Sequence, residues 1–343
     1  MPWTPVRYPA ALVSNVTVFG AGAMGTALAM HLARRGHRTK LWTSEFDRAV
    51  LQSLTDERRH PSLPEYLPES LTVLTPDEIG LAAEGMDIAV LGAHSGGART
   101  LARIVTDGCG SLPLVVGVAK GLEPESRKRM SEVYQEEVGH RRVISVGGPC
   151  LASEVAQGLP TASVFASGDV GTAEEGATAF RSDTYHVTVT DDLAGVEYCT
   201  VAKNVAAIGM GILDGLGKVS GREYQNAKAA LFTRAFGELA ELVVAAGGRR
   251  ETVSGLAGLG DTLVTTLGGR NRLYGELLGE GAEPGAALKG LTDRGMTVEG
   301  VDSARDVRHL AEGLGVTLPF LEQMHRILFE SAPADSVLEC LRG

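Results

Sequence analysis

The sequence predicts an α/β half with a mainly parallel sheet over residues 1–190, followed by an all-α half over residues 191–343. Three observations predict it. Short apolar runs alternate with helix-compatible stretches in the first half, which implies parallel pairing through right-handed crossovers. A glycine-rich turn joins the first run to the first helix. Near Asp191 the strand signals stop and long helical patterns take over.

The elements follow in chain order. Asn15–Phe19 carries the apolar run VTVF and stops at Gly20. The helical pattern AMGTALAMHLARR comes next, and Gly36 supplies its C-terminal stop. Thr39–Thr43 reads as the second strand. Further strand runs lie at Leu71–Leu74, Asp87–Leu91, Leu114–Val118 and Val143–Val146. Helix-compatible stretches between them include Gly97–Val105 and Ser126–Val138. Weaker strand signals at Ala162–Phe165 and His186–Val189 complete the sheet. In the second half, helices are expected at Asp192–Gly215, Asn226–Ala246, Arg270–Leu278, Gly300–Gly313 and Pro319–Leu328.

A chain of 343 residues with 44% hydrophobic and 22% charged content has room for two domains and a substantial core. Its net charge of −10 argues against nucleic acid as a partner. Cys109, Cys150, Cys199 and Cys340 are widely spaced and form no metal pattern, so no metal is expected, and a reduced, cytoplasmic setting is. The first fifteen residues lack the apolar run of a signal peptide. No segment reaches about 18 uninterrupted apolar residues, so no membrane span is expected.

Gly20-Ala21-Gly22-Ala23-Met24-Gly25 matches G-x-G-x-x-G between a strand and a helix, the context that gives this pattern meaning. The first glycine permits the turn, the second admits a pyrophosphate to the backbone, and the third allows close helix–strand packing. The helix N-terminus then offers N–H groups and a positive dipole end to phosphate. A dinucleotide is therefore the expected cofactor, in a Rossmann domain. The choice between NAD and NADP normally rests just after the second strand, here Trp42-Thr43-Ser44-Glu45. Glu45 is placed to bind the adenosine ribose hydroxyls, which favours NAD; Arg48, one turn later, could instead attract a 2′-phosphate, which keeps NADP open. A structural alternative is that Ser44 caps the next helix and Glu45 merely suits its first turn.

A second group of residues carries chemistry. Lys203-Asn204 interrupts the small, apolar helix VAKNVAAIGMG. A lysine on such a face is costly to bury without a purpose, and a buried lysine can exchange a proton near neutral pH. The bland alternative lays its stem along apolar surface with the ammonium in water. The stretch Gly255–Asn271, GLAGLGDTLVTTLGGRN, supplies a carboxylate (Asp261), a guanidinium (Arg270) and an amide (Asn271). Arg presents a planar fork of donors to phosphate or carboxylate, so this stretch suits a small anion. Lys120 follows the strand Leu114–Val118, and Gly147-Gly148-Pro149-Cys150 follows the next; both lie where open α/β sheets place ligands. His94 ends another strand and could line the cofactor pocket, serve a turn, or act as an acid–base group. Cys150 and Cys199 read as small buried hydrophobes rather than nucleophiles.

With these pieces in order, the chain resembles the bacterial-type NAD(P)-dependent glycerol-3-phosphate dehydrogenases. The matching segments are GAGAMGTALA, AKGLE at Ala119–Glu123, GGPCLASEVAQGLPT at Gly147–Thr161, AKNVAAIGMGILDGLG at Ala202–Gly217, NAKAALFTRAFGEL at Asn226–Leu239, GLAGLGDTLVTTLGGRNRLYG at Gly255–Gly275 and VEGVDSA at Val298–Ala304. The resemblance implies reversible reduction of dihydroxyacetone phosphate to sn-glycerol 3-phosphate, in a cleft between a Rossmann domain and a helical domain. It implies that Lys203 exchanges the proton at the substrate C2 oxygen, that Asp261 orients it, and that Lys120 and Asn204 hold the substrate. Arg270 and Asn271 would grip the phosphate, with Gly148 on the substrate rim. Gly20, Gly22, Ala23, Met24, Gly25, Trp42, Glu45, His94, Ala152, Arg270 and Glu299 would meet the cofactor. It also implies a homodimer.

The chain departs from the family pattern at five places. The Arg usual two or three residues after the Trp of the second strand is missing, which weakens NADP. Met24 stands where Trp or a polar residue is usual, LGAHSGGAR replaces a phrase like VPSHALR, and Cys150 replaces a Ser or Thr. Lys218–Tyr224 occupies the place of a short GLGDN-like loop, which leaves open a different phosphorylated polyol or ketone as substrate. A non-catalytic dinucleotide sensor would need the glycine turn but not Lys203, Asp261 and Arg270 together. The β-hydroxyacid dehydrogenases fit poorly, because they resemble each other in a Lys and Asn four positions apart and position 207 here is Ala.

Overall fold

A computed structural model describes residues 12–342. The reading of the N-terminus as lacking a signal peptide falls, as far as residue 11, outside the described residues. The chain forms two compact units that divide between Leu193 and Ala194.

The first unit holds eight strands: β1 Asn15–Phe19, β2 Arg38–Trp42, β3 Thr72–Leu74, β4 Ile88–Leu91, β5 Val115–Gly117, β6 Val143–Gly147, β7 Thr161–Ala166 and β8 Tyr185–Thr190. They form one sheet in the order β3-β2-β1-β4-β5-β6-β7-β8. The chain steps outward from β1 to β3, then restarts at β4 on the other side of β1. That reversal of order is where doubly wound sheets open a ligand crevice. Every pairing is parallel except β6 with β7. The connection between those two contains only a six-residue helix, too short to carry the chain back along a full strand. The chain therefore returns antiparallel.

Helices cover both faces: α1 Ala23–Arg34, α2 Arg48–Asp56, α3 Ile79–Ala83, α4 Ser95–Cys109, α5 Met130–Val138, α6 Ala152–Gln157 and α7 Val170–Phe180. Successive strand side chains feed opposite cores. Val18, Val116, Ile144 and Phe165 pack with Leu28 and Phe180 on one face. Phe19, Val115 and Val143 pack with Trp42, Leu101 and Tyr134 on the other.

The second unit is helical: α8 Leu193–Ser220, α9 Gln225–Ala245, α10 Arg250–Ser254, α11 Asp261–Thr266, α12 Arg270–Gly279, α13 Pro284–Thr292, α14 Glu299–Leu314 and α15 Pro319–Phe329. A π-helical segment, Leu256–Gly260, leads directly into α11. Helix α8 is long and apolar enough to cross a membrane by composition alone, with mean hydropathy 1.2, but 83% of that stretch is buried inside the protein. It is the core helix of this unit. It also runs five residues beyond the expected stop at Gly215, to Ser220. Its glycines serve close approach rather than termination. A Cβ on Gly211 would lie 2.0 Å from the Arg272 carbonyl oxygen, and one on Gly275 would lie 2.0 Å from that of Ile208. Helices α8 and α12 thus cross nearly backbone to backbone.

Candidate active site

The glycine turn sits at the C-terminal end of β1. The Gly20 N–H donates to the Trp42 carbonyl at 3.0 Å, which ties the turn to β2. Gly22 caps α1 and is exposed, and Ala23 and Met24 open the helix. The N–H groups of this first turn have no intrahelical acceptor, as phosphate binding requires. A Cβ on Gly25 would stand 2.4 Å from the Gly20 carbonyl oxygen. Gly25→Ala is therefore expected to distort the loop, costing about 1–3 kcal/mol and weakening reduced-cofactor binding roughly 10–100-fold. Fluorescence titration of the reduced nicotinamide checks this, and wild-type affinity would contradict it.

Sequence reasoning missed one residue here. His60 is only 4% exposed and lies far from any recognisable motif. Its Nδ1 accepts the Ser62 N–H at 3.1 Å, and the ring also bonds the carbonyl of Ala21 inside the glycine turn. Burial holds its imidazole below the ordinary histidine value. The neutral ring, donating from Nε2, pins the turn from outside. No local pattern around Arg59-His60-Pro61 announces that role.

Trp42 is 2% exposed and its ring packs against Phe19 with centroids 5.8 Å apart. What it offers the turn is its backbone carbonyl. Ser44 does cap the following turn: its Oγ accepts from the Phe46 N–H at 3.2 Å, and the Ser44 N–H donates to Asp47 at 2.7 Å. Asp47 is the reciprocal partner in this capping box, and Glu45 lies in its first turn. Glu45 is exposed and accepts from the Nε of Arg48 at 2.6 Å, so the two candidates for cofactor choice face each other.

The remaining first-unit candidates share the same rim, because β4, β5 and β6 run parallel to β1. His94 is exposed at the N-cap of α4. Lys120 donates to the Gly148 carbonyl at 3.0 Å. Gly148 has φ +99°, and a Cβ there would lie 3.2 Å from the Ser163 Cα, so the position demands glycine. Ala152 opens α6. The Cys150 thiol lies 3.9 Å from the Met24 sulfur and 3.4 Å from the buried Tyr185 hydroxyl. This wedges it between the turn and the core as a packing group. All four cysteines are thiols rather than disulfides.

In the second unit, Lys203 and Asp261 form a buried ion pair, Nζ to Oδ1 2.6 Å, with the residues 6% and 2% exposed. A charge buried this deeply needs a counter-ion, and Asp261 supplies it. The π segment and the small residues around it deliver Asp261: a Cβ on Gly258 would collide with the Val253 carbonyl oxygen at 2.0 Å. Single π turns inside helices recur at functional sites.

Beside the pair runs a short amide relay. Asn271 Nδ2 donates to Asn204 Oδ1 at 3.0 Å, and the Gly300 N–H donates to Asn271 Oδ1 at 2.9 Å. Asn271 therefore fixes the starts of α12 and α14 against the middle of α8. Next to it, Arg270 is exposed at the first position of α12, and its Nη1 donates to Thr297 Oγ1 at 2.7 Å. Glu299 is exposed at the first position of α14. Arg272 bonds Asp214 at 2.6 Å, and Lys228 bonds the same carboxylate at 2.6 Å, locking α12 and α9 to α8. Lys218, in the segment that differs from the family pattern, pairs with Glu276 and Glu280.

Comparisons with known proteins identify the family. Residues 15–173 match the family model for the NAD-dependent glycerol-3-phosphate dehydrogenase N-terminus, and residues 192–339 match that for its C-terminus. A Moorella thermoacetica protein named glycerol-3-phosphate dehydrogenase (NAD(P)+) is 37% identical over 332 residues, covering 95% of each chain. An Archaeoglobus fulgidus protein named NADP(+)-dependent glycerol-3-phosphate dehydrogenase is 33% identical over 339 residues, covering 94% of this chain and 97% of its own. The crystal structure of a Coxiella burnetii glycerol-3-phosphate dehydrogenase superposes with a TM-score of 0.85 at 32% identity, covering 97% of this chain and 99% of that one. The chain belongs to the NAD-dependent glycerol-3-phosphate dehydrogenase family.

Proposed function

We propose that this protein transfers a hydride between NAD(P)H and dihydroxyacetone phosphate to give sn-glycerol 3-phosphate, reversibly. The observation that carries the reading is the buried Lys203–Asp261 pair, with Asn204 next to Lys203 in the chain and hydrogen-bonded to Asn271. Residues 1–190 act as the dinucleotide-binding domain and 191–343 as the helical substrate-binding domain.

Lys203 donates its proton to the C2 oxygen as negative charge develops there, or takes it back in the reverse direction. Asp261 holds the ammonium in place. Lys120, Asn204 and Gly148 orient the substrate, while Arg270 and Asn271 bind its phosphate. That remote grip turns binding energy into alignment at the reacting carbon. The exposed α1 N-terminus and the tight Gly20–Gly25 turn suit a pyrophosphate; His94, Ala152, Arg270 and Glu299 complete the cofactor contacts. When bound, the reduced nicotinamide supplies the hydride. Glu45 binds the adenosine ribose hydroxyls, so NAD is favoured over NADP. The protein works in the cytoplasm as a homodimer; the cysteine thiols suit that reducing setting.

Loss of reduced-nicotinamide absorbance on adding dihydroxyacetone phosphate, run with NADH and NADPH and against other phosphorylated ketones, tests the proposal. No turnover with any of them, despite tight cofactor binding, would mark a sensor. Arg270→Ala should raise the KM for dihydroxyacetone phosphate about 10–150-fold, as loss of a charge-assisted bond worth about 1.5–3 kcal/mol implies. An unchanged KM would remove Arg270 from the phosphate grip.

A further inference from the structure

Lys120 stands on a loop that has no regular structure between the end of β5 at Gly117 and the start of α5 at Met130. Left to itself such a loop is the least ordered part of a sheet rim. Here it folds back on itself. Leu122 bridges to Arg129, the Glu123 N–H donates to the Lys128 carbonyl at 2.9 Å, and the Arg127 N–H donates to the Glu123 carbonyl at 2.8 Å. Gly121 and Arg127 hold positive φ, +101° and +56°, to make the turn.

The side chain of Glu123 points inward and the residue is 7% exposed. Arg99 of α4 grips it with both prongs, Nε to Oε1 at 2.6 Å and Nη2 to Oε2 at 2.8 Å. The Ser126 hydroxyl donates to the same carboxylate. The guanidinium then reaches across to α5, donating to Glu137 at 2.7 Å and Glu136 at 3.0 Å. One arginine thus ties the loop to two helices that pack on the sheet. A bidentate pair fixes direction as well as distance, which a single apolar anchor such as the buried Leu122 does not. Paired in this way, Glu123 is held down to about 2, so the clamp stays charged throughout the neutral range.

We propose that Arg99 and Glu123 form a positioning clamp that aims Lys120 and so sets capture of the phosphorylated substrate. The inference rests on the substrate-holding role of Lys120 proposed above. Neither residue touches substrate; both act through the loop.

Steady-state kinetics of the full-length enzyme test it. Arg99→Lys keeps the charge and loses the fork; Glu123→Gln keeps the shape and loses the charge. Each should raise the KM for dihydroxyacetone phosphate about tenfold, with kcat and the Kd for reduced cofactor within twofold of wild type. Arg103→Ala, which removes a contact to Glu137 alone, should leave all three unchanged. The double variant Lys120→Ala/Glu123→Gln should be no worse than Lys120→Ala. If Lys120→Ala is impaired and Glu123→Gln multiplies that loss by its own full factor, the clamp is overturned while the role of Lys120 stands. If Lys120→Ala has wild-type KM, the reading of Lys120 falls and takes the clamp with it. A drop in unfolding temperature without a change in KM would reduce Arg99 and Glu123 to stability alone.

Discussion

Replacing Lys203 by alanine is expected to lower kcat by at least about 10³-fold, because one change removes both a general acid and the cation facing the developing oxyanion. The two contributions act through a single ammonium, so they are lost together and do not multiply in full. The affinity for reduced cofactor should change by no more than about twofold, since the glycine turn and its supports lie in a separate unit with its own core. Fluorescence titration and single-turnover absorbance separate the two quantities. The variant also removes the ammonium beside Asp261, which is 2% exposed. Thermal unfolding must therefore accompany the kinetics, with assays run well below the variant's midpoint. Turnover within tenfold of wild type in a folded Lys203→Ala protein would exclude Lys203 from the proton transfer.

Much of the first unit was legible in the residues, for a physical reason. Strands buried on both faces read as compact apolar runs rich in β-branched residues, and β1, β4 and β6 are such runs. The glycine turn was legible because its chemistry demands small residues at fixed offsets. Helix α7, with the sequence VGTAEEGATAF, was not. Apart from Phe180 at its end, its buried face is Ala, Gly and Thr, so periodicity has little contrast to display. Helix α13 escaped for a similar reason, with only Ala287 and Leu291 buried. The helix expected over Asp192–Gly215 continues past Gly215, because that glycine is a contact surface: a Cβ there would lie 2.1 Å from the Glu276 carbonyl oxygen. No local sequence rule separates a contact glycine from a terminating one, because the deciding atoms belong to α12. The same holds at the candidate site. Lys203, Asp261 and Asn271 stood out by type, but His60, and the bonds from Arg99 to Glu123, depend on partners distant in the chain.

The Lys203–Asp261 pair allows catalysis and stability to be pulled apart. Asp261→Ala takes the carboxylate 2.6 Å away from a buried ammonium, which should cost about 3–5 kcal/mol. In a unit of this size that lowers the unfolding midpoint by roughly 6–20 °C. Asp261→Asn keeps a hydrogen-bond acceptor beside the ammonium and should lose less. Removing both charges at once changes the sign of the argument. In Lys203→Met/Asp261→Leu neither ion of this pair remains, and apolar replacements of buried pairs are often neutral or stabilising by about 1–4 kcal/mol. That double variant should therefore melt near or above the wild type while showing no more turnover than Lys203→Ala. Calorimetry and the nicotinamide assay on the same preparations read both effects. A pair kept for folding alone would give the opposite pattern, with the double variant unstable or Asp261→Ala fully active. The expected result, a sturdier protein that does no chemistry, would mean that the buried charges are retained for the reaction at the expense of stability.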